Sequence, residues 1–191
     1  MTSLFLAGVI LMQSQQTKVR PVLYGWHDEL NNQSEWKHIA SANKPDLDWS
    51  KPGLLKLTLN KVPRDWPYTY QWSGVTKTIS LNTAIHPFLS LNVTELRGYA
   101  HFDIDVLGKG EKILVQLRSN TIQSPGVCFL NMGEHVLAGS EIYTFRIRLI
   151  VGGSNEGCSA TYDWLRFTSK DDGERLIKQP NLPVALDPAN H

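Results

Sequence analysis

The stretch Tyr99-Ala100-His101-Phe102-Asp103-Ile104-Asp105-Val106 decides the fold. Apolar and polar residues alternate along it without a break. Successive side chains of an extended chain point to opposite faces, so Ala100, Phe102, Ile104 and Val106 share one face. Tyr99, His101, Asp103 and Asp105 share the other. That pattern is a strand with one buried and one polar face. The same period recurs on both sides. Before it, GLLKLTL (53–59) aligns Leu55, Leu57 and Leu59; VTKTISL (75–81) aligns Val75, Ile79 and Leu81; FLSLNVT (88–94) aligns Leu89, Leu91 and Val93. After it, KILVQLR (112–118) is expected to bury Ile113, Val115 and Leu117, and GVCFLN (126–131) is a shorter apolar run. YTFRIRLIV (143–151) aligns Tyr143, Phe145, Ile147, Leu149 and Val151, and ATYDWLRFT (160–168) closes the set. Turn signals separate the runs at Arg97-Gly98, Gly108-Lys109-Gly110, Ser124-Pro125-Gly126 and Gly152-Gly153.

About eight half-buried strands and no strong helical period imply an all-β fold. The expected form is a two-sheet antiparallel β-sandwich, jelly-roll-like. Composition agrees: 12 Val, 11 Ile and 12 Thr stand against 9 Ala. At roughly 150 residues per domain, 191 residues make one domain with short ends. The expected division is 1–16 as a signal peptide or disordered start, 17–170 as the sandwich and 171–191 as an irregular extension. The apolar run Leu4–Met12 is too short to span a bilayer and suits a signal-peptide core, although no basic residue precedes it and no Ala-x-Ala follows. A formal net charge of +1 argues against nucleic acid or another polyanion held by bulk charge.

The polar strand faces form the outer surfaces of such a sandwich. Arg118, Arg146, Arg148 and Arg166 fall on outward positions, as do Gln116, His101, Tyr99, Tyr162 and Trp164. Cross-strand ion pairs between Asp103 or Asp105 and an arginine are one reading of them. Trp164 stands apart, because an outward tryptophan wastes apolar area unless something covers it. The sequence carries no HExxH, GxSxG, P-loop, GxGxxG or CxxC. Asp103 and Asp105 are spaced like a retaining glycosidase pair, and Tyr99, His101 and Arg146 are the residue types a polysaccharide lyase uses. Cys128 and Cys158 permit one disulfide or two buried free thiols.

The most unusual segment is RDWPYTYQWSG (64–74), where Trp66, Tyr68, Tyr70 and Trp72 recur at every second position. In an extended chain these rings line one side. A sugar ring presents a C–H face that stacks on aromatic planes, and Tyr and Trp add polar edges for hydroxyls. Core packing is the competing role, and it is the expected one for Trp72, which leads into the strand at Val75. Asp163 is a second anomaly: parity sets it on the core face with Leu165 and Phe167. An inward carboxylate needs partners. A structural calcium at the sandwich rim, with oxygens from the chain's beginning such as Asp28 or Glu29, would supply them. A hydrogen-bonded aspartate capping a loop is the alternative.

Several spaced clusters carry a resemblance: Trp26-His27-Asp28, Pro52-Gly53-Leu54-Leu55, Trp72-Ser73-Gly74-Val75, His86-Pro87-Phe88-Leu89, Pro125-Gly126-Val127 and Tyr162-Asp163-Trp164-Leu165-Arg166-Phe167. Over residues 24–168 the chain resembles carbohydrate-binding modules of galactose-binding-like fold, the β-sandwich accessory domains of bacterial polysaccharide-degrading systems. The resemblance implies a jelly roll, glycan binding by loops or a concave face, a structural calcium with Asp163 among its ligands, and a secreted or periplasmic setting.

The leading expectation is therefore a non-catalytic polysaccharide- or oligosaccharide-binding β-sandwich, acting as a monomer. Trp66, Tyr68, Tyr70 or Trp164 would stack on sugar, with Arg146 and Arg148 fixing hydroxyls, a uronate or a sulfate. A small lyase or hydrolase acting on the face around Tyr99, His101, Asp103 and Arg146 is the second expectation. A structural or protein-interaction domain of a larger secreted enzyme is the third.

Overall fold

A computed structural model of the chain describes residues 19–40, 46–61, 70–134, 142–154 and 156–189. Among these, twelve strands form two packed sheets, more than the eight read from alternation. The strands are β1 (Val22–Asp28), β2 (Lys37–Ala40), β3 (Asp46–Asp48), β4 (Leu55–Leu59), β5 (Tyr70–Asn82), β6 (Phe88–Arg97), β7 (Tyr99–Leu107), β8 (Ile113–Arg118), β9 (Gly126–Asn131), β10 (Ile142–Ser154), β11 (Cys158–Thr168) and β12 (Val184–Leu186). One helix, α1 (Lys170–Lys178), follows β11.

The first sheet centres on β11. β6 pairs along one side of it and carries β9 outward. On its other side β1, with β12 beyond, pairs with one half of β11, and β4, with β3 beyond, pairs with the other half. The second sheet runs β2-β5-β10-β7-β8. All pairings are antiparallel except β1 with β12. The sheets meet on the apolar faces that alternation selects: Leu55, Leu57, Leu89, Leu91, Phe102, Ile104, Phe145, Ile147, Leu149, Leu165 and Phe167 are fully buried between them. No described helix is long and apolar enough to cross a membrane.

Three local departures follow from register. In KILVQLR the pairing slips between Val106 and Leu107, so that Leu107 faces Ile113 and Leu114 is the extra residue. Ile113 and Leu114 are exposed instead of buried, and Val115 and Leu117 pack only partly against the core. In β11 the pairing with β6 jumps from Tyr162–Val93 to Leu165–Leu91, a bulge holding Asp163 and Trp164. An extra residue reverses parity. Tyr162 is therefore inward, with its hydroxyl donating to the carbonyl of Ile150 at 2.9 Å, and Asp163 is off the core face. Gly152-Gly153, read as a turn, lies inside β10.

The expected irregular tail also needs correcting, since it holds α1 and β12. Ser169 caps the helix, its hydroxyl accepting from the Asp172 amide, and Asp171 and Asp172 occupy the first turn, where the helix dipole favours acid. The helix is invisible to apolar periodicity because its buried face is Asp172, Gly173 and Leu176. Gly173 is required by closeness: a Cβ there would stand 2.0 Å from a ring carbon of Phe88. Asp172 ties the helix to β1, accepting from the Leu23 amide at 2.9 Å and from Arg175 at 2.7 Å.

Candidate functional site

The outer face of the second sheet is built in rows by its register. Trp72 of β5 stands opposite Gly152 of β10, which stands opposite Tyr99 of β7. In the next row Gly74 faces Ile150, and Ile150 faces His101. The third row is Thr76, Arg148, Asp103 and Arg118. Two aromatic side chains thus flank a glycine, with strands about 10 Å apart across the gap. The result is a hollow of about 300 Å³ lined by Trp72, Tyr99, His101, Asp103, Arg118, Arg148 and Ile150. Ile150, 3% exposed, is its apolar floor.

The polar wall is held rigidly. Asp103 is buried and accepts from Arg118, whose Nε lies 2.8 Å and whose terminal nitrogen lies 3.3 Å from the two carboxylate oxygens. Arg148 approaches Asp103 at 3.4 Å and donates to Asp105 at 2.9 Å. Gln116 donates to Asp105, while Arg146 pairs with Glu111 and stands 3.9 Å from Asp105. Each arginine of the face is matched by a carboxylate. His101 is the exception in this network. It is 3% exposed, it lines the hollow, and neither ring nitrogen has a hydrogen-bond partner among the described residues. Its nearest carboxylate is Asp103, at 3.6 Å. Its ring lies 5.7 Å from that of Tyr99 at 25°. Burial, reinforced by Arg118 and Arg148 and opposed by Asp103, pushes the His101 pKa below its ordinary value. Burial likewise pushes the Tyr99 phenol up.

The residues singled out by sequence are distributed unevenly. Trp66 and Tyr68 lie outside the described residues, and Tyr70 is described only as a strand position opposite Ser154. Trp164 does point outward, but it is 2% exposed, packed with Val22 and Leu176 under α1 and crossed by the Arg166 guanidinium at 4.2 Å. The helix is the cover its outward ring requires, so it presents no platform. Arg148 lines the hollow, whereas Arg146 lies further along the sheet. Tyr99, His101 and Asp103 do come together. Trp72, assigned to packing, lies instead on the outer face as one wall of the hollow. Its signal was available in the glycine of the strand facing it, since a strand-interior glycine marks a close approach.

The three carboxylates suggested for calcium each have protein partners. Asp28 accepts from Lys77 at 2.7 Å and from the Leu30 amide, Glu29 from Arg166 at 3.3 Å, and Asp163 from Asn92 at 3.3 Å. No group of three or more His, Cys, Asp or Glu among the described residues is arranged to hold a metal. A cation at Asp28 would have to displace an ammonium that also bonds Glu35 and lies over the rings of Trp26 and Trp36. Burial alone would lower the pKa of Lys77, but its bonds to Asp28 and Glu35 outweigh that and hold it raised. Cys128 and Cys158 are free and buried, and burial pushes both thiols up to about 11.

No family model matches the chain, and no curated protein does. Among solved structures it is similar to a carbohydrate-binding module, TmCBM27, studied for specific mannan recognition. The identity is 11%, the TM-score 0.40, and the match covers 79% of this chain and 99% of that one. A likeness at that level carries no argument about function.

Proposed function

We propose that this chain binds carbohydrate without transforming it, and that the sugar seats in the hollow between Trp72 and Tyr99. The observation that carries the reading is the hollow itself, in which Trp72 and Tyr99 flank Gly152 over the apolar floor of Ile150 and beside the Asp103–Arg118 wall. Trp72 and Tyr99 supply stacking faces, at about 3.5–4 Å per contact, in a gap wide enough for one sugar ring. Ile150 receives apolar C–H groups, and Asp103 and the two arginines offer hydroxyl partners of fixed direction. Such a role belongs outside the bacterial cytoplasm, where polysaccharide is met.

Turnover is the less favoured reading of these residues. A lyase base needs an ionised Tyr99, and burial moves that phenol the opposite way. Arg146, the expected charge neutraliser, pairs with Glu111 and is not part of the hollow. The test is a panel of alginate, pectin, laminarin, mannan and xylan, scored both for retention of the protein on affinity gels and for released product. Retention without product, lost on Trp72→Ala, is the expected result. Product release from any polymer would replace binding by catalysis, and retention unchanged in Trp72→Ala would move the site elsewhere.

A further inference from the structure

A second hollow, of about 330 Å³, is lined by Arg118, Asn120, Phe129, Asn131, Lys170 and Ile177 among others. It lies on the outer face of the first sheet, since Cys128 and Leu130 of β9 point into the core and Phe129 and Asn131 point away from it. Its aromatic wall is fixed. The Phe129 ring stacks on that of Phe88 at 5.2 Å and 13°, and Phe88 is itself buried under Gly173 of α1. The Asn131 amide is held in place, donating to Glu134 at 2.7 Å and accepting from the Gly133 amide. Arg118 lines both hollows. Its guanidinium is anchored to Asp103 in the first, yet the side chain remains 65% exposed at the end of β8.

Resting on the reading above, we infer that the second hollow is a further saccharide subsite and that one glycan chain occupies both, crossing Arg118. Continuity points to the occupant: Arg118 lines both hollows, and both pair an aromatic ring with fixed polar groups. The two hollows lie on opposite faces of the sandwich, so a chain filling both must turn around the edge formed by β8 and β9. A flat, ribbon-like β-(1→4)-linked polymer does not make that turn. A curved chain, such as a β-(1→3)- or α-(1→4)-linked glucan, does. The ligand class is therefore a bent polysaccharide recognised over several units.

Calorimetry with laminari-, malto-, cello- and manno-oligosaccharides, from disaccharide to octasaccharide, tests this. Affinity is expected to keep rising with length in the curved series and to level off early in the flat ones. Phe129→Ala is expected to cost roughly tenfold in affinity for the long curved ligands and nothing for disaccharides. Asn120→Ala, at an exposed position, repeats the test without touching the Phe88–Phe129 stack. If both variants bind every length like the wild type, or lose equally at all lengths, the second subsite is overturned. In that case a Trp72→Ala variant that still abolishes binding leaves the first hollow standing. A Trp72→Ala variant with unchanged binding removes both.

Discussion

Burial, with Arg118 and Arg148 and against Asp103, lowers the His101 pKa, so near pH 6.5 the ring carries less charge than an exposed imidazole would. The consequence for stability has a definite sign. The unfolded chain takes up this proton near pH 6.5, the folded chain only at lower pH, so the unfolded state binds more protons in between. Stability is thus expected to fall as pH drops below about 6.5 and on through the lowered folded value. His101→Gln should flatten that part of a urea-midpoint profile, and an unchanged slope would show that the imidazole is not held neutral. Gly152 makes the complementary prediction. Gly152→Leu would put a side chain between Trp72 and Tyr99, and should lower saccharide affinity at least tenfold with little change in melting temperature. Unaltered affinity would place the ligand outside the row. Period-two alternation correctly identifies Tyr99, His101 and Asp103 as outward. It does not show that Trp72 and Tyr99 share a row, because that depends on how β5, β10 and β7 align, which no local pattern encodes.

At the scale of elements, β7 was legible because every residue obeys the period, while β11 misled because a bulge at Asp163 and Trp164 resets it. An inward Asp163, and the calcium invoked to satisfy it, both assumed an unbroken strand. With Asp28 bonded to Lys77, chelation by EDTA should leave the melting temperature unchanged; a fall of several degrees would reveal an ion at this edge. Helix α1 escaped notice for a related reason: what it buries is a carboxylate and a glycine. Asp172 receives bonds from β1 and from Arg175, so Asp172→Ala should cost about 1.5–3 kcal/mol by urea denaturation. A loss under about 0.5 kcal/mol would mean that α1 is held by Leu176 and its apolar neighbours alone.

For the whole molecule, the two-sheet architecture follows from strands that bury one face each, and most of the core was readable as apolar residues at alternate positions, whereas Leu30, Trp36, Met132 and Tyr162 were not. The site was harder to read than the fold because it lies on the polar faces, where many residues of the right type occur and only register selects among them. Both cysteines lie within the packed sandwich with thiols raised to about 11, so neither should react with a thiol reagent at neutral pH until the protein unfolds. Labelling of the native protein would show that the sandwich opens at β9 or β11. The central claim is that a sugar fills the hollow that His101 lines, and the most direct measurement is the NMR spectrum of the His101 imidazole during titration with an oligosaccharide that the affinity panel shows to bind. Its ring signals should shift and saturate with the ligand, at the same midpoint as calorimetry. Saturated binding that leaves the His101 ring signals unmoved would contradict the account.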